Sequence, residues 1–160
     1  VVFSLGTHNE HEIIDVIVRS DNSDFYERIE KCNRRISNIE DWDFARIAVG
    51  YPGSNEVNTK YLPHDIGMLN LISLNKGCYP GQEIHARLDS RSKPKKRMVV
   101  LSTNDVMEIG KYSLSDGSSV KITSISVRDG LHLSMGICSV DVSTDATLVN
   151  NNVESKLTLL

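Results

Sequence analysis

Hydrophobic positions along the chain change rhythm twice, and each change predicts a different kind of element. From Glu12 to Val18 the residues Ile13, Ile14, Val16, Ile17 and Val18 form a dense β-branched run, which reads as a largely buried strand. Asp21-Asn22-Ser23 then offers N-cap oxygens. Phe25, Ile29, Cys32 and Ile36 recur at helical spacing and predict an amphipathic helix over Asp24 to Ile36, with Cys32 on its apolar stripe. Ile39, Trp42, Ala45 and Val49 predict a shorter helix, closed by Gly50 as a left-handed C-cap with Pro52 just beyond. Tyr51-Pro52-Gly53-Ser54-Asn55 is a turn cluster, and a polar loop runs on to Lys60. Leu62-Pro63 leads into Ile66, Met68, Leu69, Leu71 and Ile72, which are expected in the core. Ile84 and Leu88 sit one turn apart and predict a short helix from Gln82 to Leu88, with Glu83 and Arg87 as a favourable i,i+4 pair.

After Pro94 the helical period disappears. Arg97 to Leu101 reads as a strand, and Asp116-Gly117 and Asp129-Gly130 are hairpin turn signals. Val120, Ile122 and Ser124 alternate with Lys121, Thr123 and Ile125; Leu131, Leu133, Met135 and Ile137 alternate with His132, Ser134, Gly136 and Cys138. Val153 to Leu160 reads as a final strand. Short strands at regular spacing predict a small antiparallel β-barrel or sandwich, so the fold class is α+β. The boundary is expected near Ser92 to Lys95, dividing the chain into residues 1–94 and 95–160.

Composition narrows the class without naming a function. At 160 residues, 39% hydrophobic and 24% charged, with a net charge of -3, the values suit a globular protein and not a disordered one. The charge gives no general drive toward nucleic acid or anionic membrane. No apolar run approaches the roughly 20 residues that span a bilayer. The three cysteines, Cys32, Cys78 and Cys138, are far apart and include no CxxC pair, so neither a zinc site nor a disulfide framework is expected. Unpaired thiols suit a reducing compartment such as a bacterial cytoplasm or an organelle matrix. The chain opens on Val1-Val2-Phe3 without a methionine, which reads as a fragment of a longer protein.

The chemistry concentrates in Lys76-Gly77-Cys78-Tyr79-Pro80-Gly81-Gln82-Glu83. Its cysteine lies just ahead of a predicted helix N-terminus, where free N–H groups and the positive dipole end favour a thiolate. Lys76 adds a positive charge two residues away, and Gly77 and Gly81 let the loop bend closely around a ligand or another segment. Glu83 could accept a proton or pair with Arg87. These are the ingredients of an activated nucleophile or a metal-binding thiolate. The plainer reading makes Cys78 a small apolar filler at a tight turn, with Lys76 and Glu83 on a solvated rim.

That segment resembles the KGC[FY]xGQE signature of the YgfZ family, folate-binding-like proteins related to the glycine cleavage T protein. Lys76, Gly77, Cys78, Tyr79, Gly81, Gln82 and Glu83 occupy its fixed positions, and Ala86-Arg87 matches the "AR" that follows. Arg46-Ile47 with Gly50-Tyr51-Pro52 is similar to the family's "RI..G.P" segment, Leu62-Pro63 to its "fiP" segment, and Ile122-Thr123-Ser124 to the "TS" strand of its C-terminal barrel. Lys121 stands where many relatives have glycine. The resemblance runs from about Glu12 onward. It implies the end of a T protein-like central domain followed by a C-terminal barrel, with the folate cavity largely outside this chain.

It further implies a factor that assists 4Fe–4S cluster assembly or repair, including for tRNA-modifying enzymes, and not a conventional enzyme. Cys78 would carry the chemistry, as a transient iron ligand or in a mixed disulfide, with no stable metal. Lys76, Gly77, Tyr79, Gly81 and Gln82 would shape its loop, and Glu83 with Arg87 would hold the following helix. Tetrahydrofolate or a related folate is the implied cofactor of the complete protein. Iron–sulfur assembly proteins and client enzymes are its implied partners, in a bacterial cytoplasm or a mitochondrial matrix. The alternatives are a tetrahydrofolate-dependent aminomethyltransferase, or an inactive fragment serving as an interaction module. Elsewhere, Arg91, Lys93, Lys95, Lys96 and Arg97 form a basic cluster that reads as a solvated linker or a patch for an acidic partner or nucleic acid. No aromatic residues interleave with it in sequence, so stacking on single-stranded nucleic acid is not expected. His85 and Asp89 read as a surface pair, and Cys138 as part of the barrel wall.

Overall fold

Strand and helix propensities separate along the chain as the hydrophobic rhythm predicts. The computed structural model describes residues 2–8, 11–32, 38–91, 93–143, 145–149 and 155–159. The first two strands, β1 (Val2–His8) and β2 (His11–Ile17), pair antiparallel with Val2 opposite Ile17. The expected strand is therefore present, but Ile17 at its end is 72% exposed, and the side chains of Ile13 and Ile14 lie outside the described residues.

Helix α1 (Ser23–Lys31) is capped by Asn22, whose side chain accepts from the Phe25 N–H at 3.2 Å. It stops short of the predicted end, and Ile36 lies outside the described residues. The expectation that Cys32 packs in a core is corrected: α1 has no buried residue, and Cys32 is exposed at the C-cap. Among the described residues no other element packs across α1, and Ile29 on its apolar stripe is 40% exposed.

Helix α2 (Ile39–Ala48) has the predicted close. Gly50 is left-handed at φ 72°, its N–H donates to Ile47 O at 3.0 Å, and the Tyr51 N–H donates to Arg46 O at 2.7 Å, which is a Schellman end. Its buried face differs from the predicted one. Ile39 is 70% exposed and Trp42 is exposed, whereas Arg46 and Ile47 are buried and Phe44 packs beside them. On this covered side Arg46 bonds Ser124 and pairs with Glu56 while Ile47 packs on the sheet.

The C-terminal strands are β3 (Lys96–Thr103), β4 (Gly110–Ser113), β5 (Ser119–Arg128), β6 (Leu131–Ser139) and β7 (Ser155–Leu159). They form one antiparallel sheet in the order β4-β5-β6-β3-β7. Both predicted hairpin turns are present, with Gly117 at φ 82° and the pair Asp129 and Gly130 at φ 51° and φ 80°. The expected closed barrel is not formed: among the described residues the sheet is open, with β4 and β7 at its edges. Closure needs edge strands paired along their length. Beyond β4 there is one isolated bridge, Leu114 to Leu148, flanked by the bonds Ser115 N–H to Thr147 O and Val149 N–H to Ser113 O.

Both faces of the sheet are covered. Val99, Leu101, Val120, Ile122 and Cys138 meet Leu114, Val142, Ala146 and Leu148 on one side. Met98, Val100, Leu133, Met135 and Ile137 meet Ile47 and Ile66 on the other, with Phe44, Tyr61 and Met68 packed against them. This second cluster joins residues on either side of the boundary expected near residue 94. Cys138 is buried as the wall reading requires, and burial pushes its thiol pKa up against the opposing pull of Arg97. No helix among the described residues is long and apolar enough to cross a membrane.

Candidate functional site

The signature folds as a loop running into helix α3 (Gln82–Arg91). Gly81 supplies the turn at φ 86°, a value that a residue with a Cβ adopts only with strain. The Ile84 N–H bonds Gly81 O at 3.1 Å, and the Gln82 N–H bonds Tyr79 O at 3.2 Å. The Gln82 side chain reaches back, its Nε2 donating to Leu74 O at 3.2 Å. Gln82 therefore ties both ends of the loop together. Gly77 is different: a Cβ there would meet open space, so no neighbour within the described residues demands a glycine.

Cys78 is exposed at the crest of this loop, four residues before the first residue of α3. The filler reading is thereby corrected, because a residue that fills space must be covered. Lys76 sits with its Nζ 4.7 Å from the centroid of the Tyr79 ring, a cation–π contact that holds the ammonium beside the loop. Tyr79 is half-buried, and its hydroxyl is buried without a hydrogen-bond partner in the structure. Glu83 and Arg87 approach at 3.5 Å as predicted, and both are largely exposed, so the pair contributes at most a few tenths of a kcal/mol.

His85, expected to form a surface pair with Asp89, instead faces another ring. It stacks on His64 with centroids 5.2 Å apart and planes 13° from parallel, the two Nδ1 atoms lying 3.4 Å from each other. The turn after Leu62-Pro63 presents His64, since the Asp65 carboxylate accepts the Leu62 N–H at 3.0 Å. Burial first, and His85 second, lower the His64 pKa, while Asp65 and Asp89 oppose them. Two segments separated in sequence thus meet through a histidine pair. No feature of the sequence marks His64. Among the described residues, no group of three or more His, Cys, Asp or Glu could hold a metal ion.

The Arg46-to-Pro52 segment has a structural task. Arg46 Nε lies 2.6 Å from Asp43 Oδ1, its Nη2 donates to Ser124 Oγ at 3.2 Å, and its Nη1 is 3.5 Å from Glu56 Oε2. Ser124 Oγ donates to Glu56 Oε1 at 2.8 Å, and the Gly53 N–H donates to Glu56 Oε2 at 2.8 Å. Glu56 is 0% exposed. A β-bulge between Ile122 and Ser124 turns both Thr123 and Ser124 inward and aims Ser124 at this cluster. Gly53 lies against the guanidinium, where an added Cβ would be 2.7 Å from Arg46 Cζ. Glu56 escapes sequence reasoning because it sits in a polar loop, where a carboxylate ordinarily faces water.

A folate can be tested against the described residues. The cavity beside α3 measures about 260 Å³ and is lined by Leu62, Glu83, Ile84, Arg87 and Leu88. Ligand pockets for molecules of drug size run from about 300 to 1,000 Å³ and cover most of the ligand. This cavity falls short of that, so the space beside α3 does not by itself enclose a folate.

An α+β chain with an exposed cysteine loop ahead of a helix is the class that fold and site define. In sequence it is similar to the tRNA-modifying protein YgfZ of Yersinia enterocolitica, at 27% identity over 154 residues. That match covers 88% of this chain and 47% of the Yersinia protein. It is also similar, at 39% identity over 85 residues, to an Arabidopsis thaliana protein named "Putative transferase, chloroplastic", covering 52% of this chain and 20% of that protein. The chain thus spans less than half the length of either relative. No protein-family model matches it. These similarities are weak and are consistent with the YgfZ family.

Proposed function

We propose that this chain is the C-terminal portion of a YgfZ-type factor that assists assembly or repair of 4Fe–4S clusters, including those of tRNA-modifying enzymes. The observation that carries the reading is the exposed Cys78 thiol, held by Gly81 and Gln82 at the mouth of α3 within a complete signature. The Cys78 thiolate donates a lone pair to an iron of the cluster in transit and releases it to the client. Alternatively it attacks a client disulfide, forming a mixed disulfide and expelling the second sulfur as a thiolate. Lys76, Tyr79 and Gln82 keep the loop open, and Glu83 with Arg87 steadies α3. Residues 1–94 would end a central T protein-like domain and residues 95–160 would form its C-terminal domain. The folate site of the longer protein would be completed by residues beyond those described. Assembly proteins and client enzymes are the partners, in a bacterial cytoplasm or an organelle.

Replacing Cys78 with Ala or Ser in the full-length protein tests the reading. Cluster-dependent enzyme activities in cells should fall to the level of a strain lacking the protein. Activities unchanged from wild type would remove Cys78 from the mechanism. The Arabidopsis relative is named only as a putative transferase, which leaves room for a second reading, a tetrahydrofolate-dependent aminomethyltransferase. Release of methylenetetrahydrofolate from an aminomethyl donor by the intact protein would establish it.

A further inference from the structure

The basic residues around the start of β3 do not form a simple linker. Lys111 and Lys121 are register partners across β4 and β5, so their side chains leave the same face of the sheet. Like charges directly opposite each other destabilise an antiparallel pair. Lys95 and Lys96 lie beside them, and all four line one cavity of about 400 Å³. The buried Ile137 and the Tyr61 ring also line it, with Lys96 Nζ 5.6 Å from the ring centroid. A separate, smaller cavity of about 160 Å³ shares Tyr61 and Lys121 in its lining and adds Lys60. No ion pair joins any of these lysines to a described carboxylate. In a chain of net charge -3, four lysines share one open groove, and no carboxylate among the described residues pairs with them.

We propose that this groove binds a single-stranded segment of nucleic acid, with the phosphodiester backbone along the lysines and one base against Tyr61. The sequence lacks aromatic residues among its basic run, but the fold brings Tyr61 in from the loop before Leu62-Pro63. That supplies the combination single-strand binding uses, a positive track with a stacking ring. A shallow open groove suits a chain passing through it better than a ligand enclosed on all sides. RNA and DNA share this chemistry, and the measurement separates them. The inference is independent of Cys78, which lies on a different loop.

Fluorescence anisotropy on the full-length protein, with labelled 12-nucleotide RNA and DNA of one unstructured sequence, tests it. Lys111→Glu combined with Lys121→Glu should weaken binding at least about 10-fold. The same variant should lower the magnitude of the log–log salt slope by about 1.4, or roughly 0.7 for each phosphate no longer neutralised. Both positions are exposed, and a circular dichroism melt checks that the variant remains folded. Tyr61→Leu should weaken oligonucleotide binding several-fold while leaving the salt slope unchanged. Cys78→Ala should bind as wild type does, which keeps this result separate from the cluster hypothesis. Tighter binding of either oligonucleotide identifies the source of the strand. No binding at about 100 μM protein in low salt, or binding indifferent to the charge reversals, overturns the proposal. Equal affinity for a polyglutamate peptide of matched charge also overturns it, in favour of an acidic protein partner.

Discussion

Replacing Glu56 with alanine removes the one fully buried carboxylate of the cluster that joins α2, the 53–56 turn and β5. Arg46, only 8% exposed, then loses one counter-charge and keeps Asp43, which is itself partly in water. Breaking a buried ion pair costs about 3–5 kcal/mol because the remaining charge stays desolvated. The bond to Asp43 places the expected loss at the lower end, about 3 kcal/mol. Unfolding of a chain this size moves by about 2–4 °C for each kcal/mol, so the midpoint should fall by roughly 6–12 °C. Far-ultraviolet circular dichroism during thermal and urea unfolding measures it. Converting both partners, Arg46→Met with Glu56→Leu, removes the desolvated charge and should recover much of the loss. Gly53→Ala forces the guanidinium aside from a 2.7 Å contact and should cost about 1–3 kcal/mol, less than additively with Glu56→Ala. A midpoint within about 2 °C of wild type for Glu56→Ala would refute the account, since the cluster would then not anchor the helix.

Two further outcomes follow from single side chains. His64 is held below its ordinary value of 6.5, so the unfolded chain takes up its proton at higher pH than the folded one. Its stabilising contribution is present above about pH 6.5 and is lost as pH falls through the folded value. Urea midpoints should therefore fall between about pH 7 and pH 5, and His64→Gln should flatten that fall; equal slopes in both proteins would contradict the assignment. Maleimide should label Cys32 and Cys78 in the native protein and Cys138 only after unfolding, because Cys138 is buried and its thiol pKa is raised. Intact-mass measurement counts the adducts, and native labelling of Cys138 at the rate of the other two would show that the sheet face is open.

Local rules are legible wherever the backbone itself decides. Gly50, Gly117 and the Asp129-Gly130 pair stand at positive φ where the turn chemistry requires it. The i,i+4 spacing of Glu83 and Arg87 is sufficient to predict their contact. Which face of an element is covered is less legible. The stripes on α1 and α2 are real amphipathic patterns, yet Cys32 is exposed, Trp42 is exposed, and the buried face of α2 carries an arginine. A hydrophobic stripe reports what could be buried, and an ion network worth several kcal/mol can outweigh it.

Sequence alone determined that the chain is α+β, that its signature loop precedes a helix, and that Cys78 stands within that loop. Those properties depend on residues close together in the chain, where spacing and glycine chemistry act directly. Tertiary structure alone decided that among the described residues the sheet stays open at β4 and β7, and that Glu56 is buried against Arg46 and Ser124. It also decided that His64 stacks on His85, and that Tyr61 stands among Lys96, Lys111 and Lys121. Each of these joins segments distant in sequence. Their charges and rings compete or cooperate only once packing has removed water from between them.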